Sequence, residues 1–281
     1  MCLVAVFALS ALVASSASAA PEYKTCVKAP KVGKETPSGE FSDKACSTPL
    51  KGGGYKLGSY SEGKKFATKG KGSNPVNRQI VPGLGAVADV ECKSEKSAGT
   101  ITGPSTSTSN VEYKTCEDSE GKKCNTEGDG KGVIKTHELT TQLIDQTGAT
   151  EGVGIVISPK VGEILATYEC EGGLKVTAIG SVIGEVEGGA TKAAVKELKL
   201  KFAHGTGAYQ QFGYIGADEA ENGSKFEEWF GSGGKAGTPP THDIESHVEG
   251  NTNKALPEEF TLPATQEGTT AIKGEAYKIV G

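Results

Sequence analysis

The chain has 281 residues, among them 40 glycines, one methionine and one tryptophan, and a formal net charge of −5. So much glycine, beside abundant serine and threonine, excludes a mainly helical protein. The charge is uneven: residues 20–131 hold 18 Lys+Arg against 14 Asp+Glu (+4), and residues 132–281 hold 12 against 21 (−9). That asymmetry argues for two faces or subdomains and against a nucleic-acid binder.

Residues 1–19 read as a signal peptide. An apolar run over 3–13 has the length of a secretory h-region, and Ala17-Ser18-Ala19 supplies the small residues of a cleavage site. The run is shorter than the ~20 apolar residues a spanning helix needs. The expectation is a secreted chain, extracellular or cell-wall associated, with no membrane span after processing. Leaving out Cys2, the cysteines are Cys26, Cys46, Cys92, Cys116, Cys124 and Cys170. An even number in an exported chain predicts a disulfide framework. The favoured pairs are Cys26–Cys46, Cys116–Cys124 and Cys92–Cys170. The first two close local loops, and the third ties two similar strand-like stretches across a long loop, for roughly 4.5 kcal/mol against about 2.6 for the shortest loop. Zinc is the rival reading, but no C-x2-C pair occurs and no histidine lies near a cysteine.

Residues 20–82 form a small stapled N-terminal lobe with a basic, glycine-rich segment. Glu22-Tyr23-Lys24-Thr25-Cys26 alternates like a strand, and the same five residues recur at 112–116. Two copies of so short a string mark a shared local device, not a repeat architecture. Within 51–71, Lys51, Lys56, Lys64, Lys65, Lys69 and Lys71 interleave with Tyr55, Tyr60 and Phe66. Ammonium groups attract anionic chains, and tyrosine rings offer flat faces to sugars. The six lysines with Tyr55 and Tyr60 are therefore the candidate binding residues, for cell-wall polysaccharide or another envelope polyanion. The competing reading is an irregular hairpin with solvated lysines and a few aromatics turned inward.

Residues 83–204 read as the β core. Ala88, Val90 and Cys92 share one strand face; Val111, Tyr113 and Thr115 repeat the alternation. Val153, Ile155 and Ile157, then Ile164, Ala166, Tyr168 and Cys170, then Val176, Ala178 and Val182 continue it. Leu198, Leu200 and Phe202 give the cleanest alternation, and a helix over 191–198 fits the apolar spacing less well. Short strands split by Gly/Pro turns predict an all-β chain, an antiparallel sandwich or barrel with disulfide-stapled loops. Residues 205–281 read as a looser C-terminal extension, with a short helix at 226–230, a flexible link at 231–240 and a closing strand over 272–280.

No motif carries chemistry. Gly83-x-Gly85-x-x-Ala88 precedes a strand where a dinucleotide loop would follow one, and no G-x-S-x-G occurs. His242-Asp243-x-Glu245-x-His247 packs four ligand types together, yet its histidine spacing does not place both rings on one helix face. No metal or other cofactor is expected. His137 and His204 have no partner nearby in sequence, the scattered acids single out no glycosidase pair, and Asn222-Gly223-Ser224 is a sequon by pattern. The expectation is an exported, non-catalytic protein of the envelope or extracellular space with a structural or surface-binding role. The alternative is a secreted hydrolase of cell-wall or environmental polysaccharide.

Three stretches carry a family likeness: Pro21-Glu22-Tyr23 with Cys26, Val90-Glu91-Cys92 followed by Gly99-Thr100-Ile101, and Tyr168-x-Cys170 followed by Gly180-Ser181-Val182-Ile183-Gly184. On these the chain resembles a group of uncharacterised secreted, cysteine-containing, β-rich proteins of high-GC Gram-positive bacteria. The resemblance covers most of 21–205. It implies export and β architecture, and it implies no activity.

Overall fold

The computed structural model describes residues 21–32, 36–60, 63–71, 76–81, 85–86, 90–146, 152–187, 191–202, 214–215, 244–249 and 260–280. Residues 1–19 expected as a signal peptide, Gly83, Ala88, His204, the 222–224 sequon pattern, the helix expected at 226–230, the link expected at 231–240, His242 and Asp243 lie outside the described residues. Among those described there is no α-helix. Residues Val195–Phe202 form a strand, not a helix.

Eight antiparallel strands close into a barrel. In order around it they are Lys65–Lys71, Val90–Ile101, Thr106–Asp118, Leu139–Gln146, Gly152–Pro159, Val182–Glu187, Val195–Phe202 and Phe260–Val280. The last pairs back onto the first through Ile272↔Thr68 and Lys273↔Ala67. Closure leaves no free sheet edge in the ring, so the barrel is realised and the sandwich is not. The ring draws strands from both sides of the boundaries expected at 82/83 and 204/205, and the strand expected from 272 begins at Phe260.

Period-2 alternation explains the core. On Val195–Phe202, Leu198, Leu200 and Phe202 are buried at 1, 2 and 6% exposure while Glu197, Lys199 and Lys201 face solvent. An apolar interior inside a charged exterior is the reverse of a membrane barrel, whose outer face is apolar. No helix among the described residues is long and apolar enough to cross a membrane.

Three barrel strands extend past the ring and pair there with further strands of the same continuous sheet. Val90↔Asn77 joins strand 90–101 to Val76–Val81, Tyr113↔Ile134 joins strand 106–118 to Val133–Lys135, and Ile244↔Ala264 joins the last strand to Ile244–Glu249. Leu174–Gly180 and Ile164–Cys170 continue this sheet. The passage is made at Thr115, whose φ of 57° lies in the left-handed region. Inward positions on strand 106–118 run 107, 109, 111 and 113, then jump to Cys116; opposite, Cys92 gives way to Glu95. Thr115 is therefore exposed, and does not share the face of Val111 and Tyr113 as the alternation implied.

Three disulfides staple the molecule: Cys26–Cys46, Cys92–Cys116 and Cys124–Cys170. The first is as expected; the other four cysteines are paired differently from the expectation. Cys92 lies directly opposite Cys116 in one ladder, and Cys124 directly opposite Cys170 in another. Cross-strand register, not loop length, decides the partners. All four share one buried cluster with Val90, Ile134, Tyr168, Val176 and Val248.

The N-terminal lobe closes one end of the barrel. Strand Glu22–Lys28 pairs with the chain's last strand through Tyr23↔Ile279 and with Tyr55–Ser59 through Cys26↔Leu57. In the Cys26–Cys46 loop the Asp43 carboxylate accepts hydrogen bonds from the backbone N–H groups of Ala45 and Thr48 at 2.9 and 2.8 Å. These donors, Thr48 foremost, hold its pKa below the ordinary carboxylate value. Lys278 Nζ reaches the Cys46 carbonyl oxygen at 3.0 Å and lies 5.1 Å from the centre of the Phe41 ring, fixing lobe to barrel.

Candidate functional site

The barrel is not filled. Between the ring and the strands beyond it lies a cavity of about 150 Å3, far more than the space left by ordinary core packing. One wall is apolar, built from alternate residues of three consecutive barrel strands and the closing one: Ile155, Ile157, Val182, Leu200, Phe202 and Ile272. The facing wall carries a polar track. Strand 90–101 contributes Glu95 and Ser97, strand 106–118 contributes Ser107 and Ser109, and strand 139–146 contributes Thr141. Ser107 and Thr141 satisfy one another across the strands, Oγ to Oγ1 at 2.5 Å. Thr136 Oγ1, also lining the space, accepts a hydrogen bond from the Val111 N–H at 3.0 Å.

Both ends are plugged. Tyr23, Tyr60 and Tyr277 stack at the lobe end, with centroids 5.7–6.1 Å apart and two of the three contacts edge-to-face, a favourable aromatic geometry. Burial raises the pKa of Tyr23 and Tyr277 well above the ordinary tyrosine value, and the neighbouring tyrosines add to it. At the other end lie Val90, Cys92, Ile134, Ala166 and Tyr168. At one side Phe66 lies over Gly99, its register partner. A Cβ at Gly99 would stand 2.2 Å from the Phe66 ring and 2.4 Å from the Thr108 carbonyl oxygen. Only glycine lets the ring and the neighbouring strand come so close.

The lining is mostly apolar with a few polar groups. Glu95, 9% exposed, is its single carboxylate among the described residues, and no lysine, arginine or histidine joins it there. Acid–base hydrolysis of a glycoside takes two facing carboxyl groups, and the cavity brings no second one. Predominantly apolar walls with a few placed polar groups are the usual composition of a small-molecule site.

The residues expected to bind lie on several elements. Lys51 is exposed on Pro49–Gly53; Tyr55 and Lys56 are partly buried on Tyr55–Ser59, part of the N-terminal lobe. Tyr60 is 8% exposed and belongs to the aromatic plug, so it offers no face to a sugar at the surface. That corrects the expectation for Tyr60, and inward-turned aromatics were the competing reading. Lys64 is partly buried, Lys65 is exposed at the start of the first barrel strand, and Lys69 and Lys71 sit on that strand opposite Lys96 and Ser94. Of the histidine cluster, Glu245 and His247 lie on strand 244–249, with His247 Nε2 3.5 Å from Glu249 Oε1. Among the described residues no group of three metal-ligand side chains occurs. His137 is exposed, and its backbone N–H is bonded to the Leu165 carbonyl oxygen at 2.8 Å.

The polar track was missed because its sequence carries no alternation. Residues 106–110 are Thr-Ser-Thr-Ser-Asn, polar on both faces of the strand. The signal that remained was the pairing of this stretch with Gly99-Thr100-Ile101, whose inward residue is apolar. An eight-stranded antiparallel barrel enclosing a small, mostly apolar cavity is the class that fold and site define. Compared with known proteins, the chain matches no family model, no curated protein and no solved structure.

Proposed function

We propose that this chain is an exported, non-catalytic binding protein of the envelope or extracellular space, and that its barrel interior is the binding site for a small apolar molecule. The cavity of about 150 Å3 carries the reading. An eight-stranded barrel is just wide enough either to be filled by its own side chains or to hold one small ligand, and this one leaves room. A cavity of about that size has room for a single benzene-sized molecule. Three disulfides and the signal-like residues 1–19 support export, as does the resemblance to secreted proteins. The hydrolase alternative is supported by nothing in the lining, which holds one carboxylate. The test is uptake of toluene by the processed chain, followed through backbone amide shifts, beside the cavity-filling variants Ala178→Leu and Val111→Phe. Saturable shifts at the lining strands, abolished in a folded filling variant, are expected. No shift at any toluene concentration would end the reading.

A second site is favoured by one observation on the outer surface. Lys69 and Lys96 are direct register partners on neighbouring strands, with Lys65 exposed on the same strand as Lys69. Exposed Lys96 has Glu112 at 3.1 Å, and a run of lysines along one ladder would attract a polyanion. Retention on purified cell wall at low salt, lost when Lys65, Lys69, Lys71 and Lys96 become glutamine, is the outcome this predicts. Equal retention of both forms would remove the surface from consideration.

A further inference from the structure

Ser109 projects from the strand Thr106–Asp118 into the cavity lining and is 8% exposed. Its side-chain oxygen has no hydrogen-bond partner among the described residues. The other polar groups of the track are engaged: Ser107 with Thr141, Thr136 with the Val111 N–H, and Glu95 and Ser97 with partners of their own. A buried hydroxyl left unpaired costs free energy that pairing recovers. Ser109 borders Gly99 in the ladder, and the Phe66 ring lies over that glycine without supplying a hydrogen-bonding atom.

We propose that the ligand is a neutral, ring-sized molecule carrying one hydrogen-bonding oxygen, a phenol or a cyclic alcohol, whose oxygen pairs with Ser109 while its ring rests on the Ile155, Leu200 and Phe202 wall. The proposal rests on the reading of the barrel interior as a binding site. Charge enters on neither side: a hydroxyl both donates and accepts, so Ser109 serves a ligand hydroxyl in either direction. The ring accounts for most of the affinity through apolar burial. The oxygen accounts for selectivity, since a ligand without it leaves Ser109 unpaired, and sites built to hydrogen-bond a hydroxyl reject analogues lacking one.

The experiment titrates the processed chain with phenol, cyclohexanol and toluene by amide shifts, on the wild type, Ser109→Ala and Ser109→Cys. The wild type is expected to prefer phenol and cyclohexanol over toluene. Ser109→Ala should weaken both by about 3- to 10-fold, the worth of one hydrogen bond, and leave toluene affinity unchanged or improved. Ser109→Cys keeps the volume with a poorer hydrogen-bonding group and should fall between. Toluene binding without preference for the oxygenated rings, or phenol affinity indifferent to both substitutions, would overturn the role of Ser109 and leave the cavity a plain apolar site. Failure of all three ligands on the folded wild type would instead overturn the underlying reading, and the inference with it.

Discussion

Tyr23 and Tyr277 are two of eight tyrosines in the chain, but their surroundings set them apart. Both are buried in a ring of aromatic faces, and burial disfavours the phenolate. Their folded pKa values stand above the unfolded value of about 10. The stability they contribute is therefore fully present below that pH and is lost as pH rises toward the folded values, because the unfolded chain releases those protons first. Alkaline titration followed by tyrosinate absorbance and far-ultraviolet dichroism should show these two ionising only with loss of strand signal. Reversible ionisation of all eight near pH 10 with the barrel intact would contradict the burial of the plug. Sequence alone marked Tyr23 as a strand residue and left Tyr60 as either a surface ring or an aromatic turned inward. Nothing local distinguishes an aromatic that plugs a barrel from one that faces sugars; the difference lies in strand 22–28 pairing with residues 278–280, more than 250 positions away.

At the level of the strand, alternation was legible wherever one face is apolar and the other charged, as at Leu198, Leu200 and Phe202. It failed at Thr115. A left-handed residue in mid-strand resets the inward parity, so Cys116 turns in where Thr115 was expected. The cysteine partners failed for a related reason: they are fixed by which strands lie side by side, and loop-closure entropy speaks only to the cost of a pairing already made. Non-reducing peptide mapping should recover Cys92 joined to Cys116 and Cys124 joined to Cys170. Replacing Cys92 and Cys116 together by alanine should cost about 3–4 kcal/mol for a loop of 24 residues, read from denaturant unfolding. A Cys116–Cys124 peptide would contradict the register of the strands 90–101 and 106–118.

For the whole molecule, composition and pattern made the all-β class and a framework of three disulfides legible. The interior space was not legible. A cavity is a deficit of volume summed over many side chains from many strands, and small inward residues such as Ser107, Ser109 and Ala178 look, one by one, like ordinary strand positions. That deficit is the basis of the proposed function, since a core free to collapse would gain contacts by filling it. The most direct measurement is diffraction from crystals of the processed chain under xenon pressure, xenon being a probe of dry apolar cavities with no chemistry of its own. One ordered xenon is predicted inside the barrel, between the tyrosine plug and the layer of Ile134 and Ala166, in contact with the Leu200 and Phe202 wall. Crystals that show side chains closed over that space and no xenon there would contradict the account.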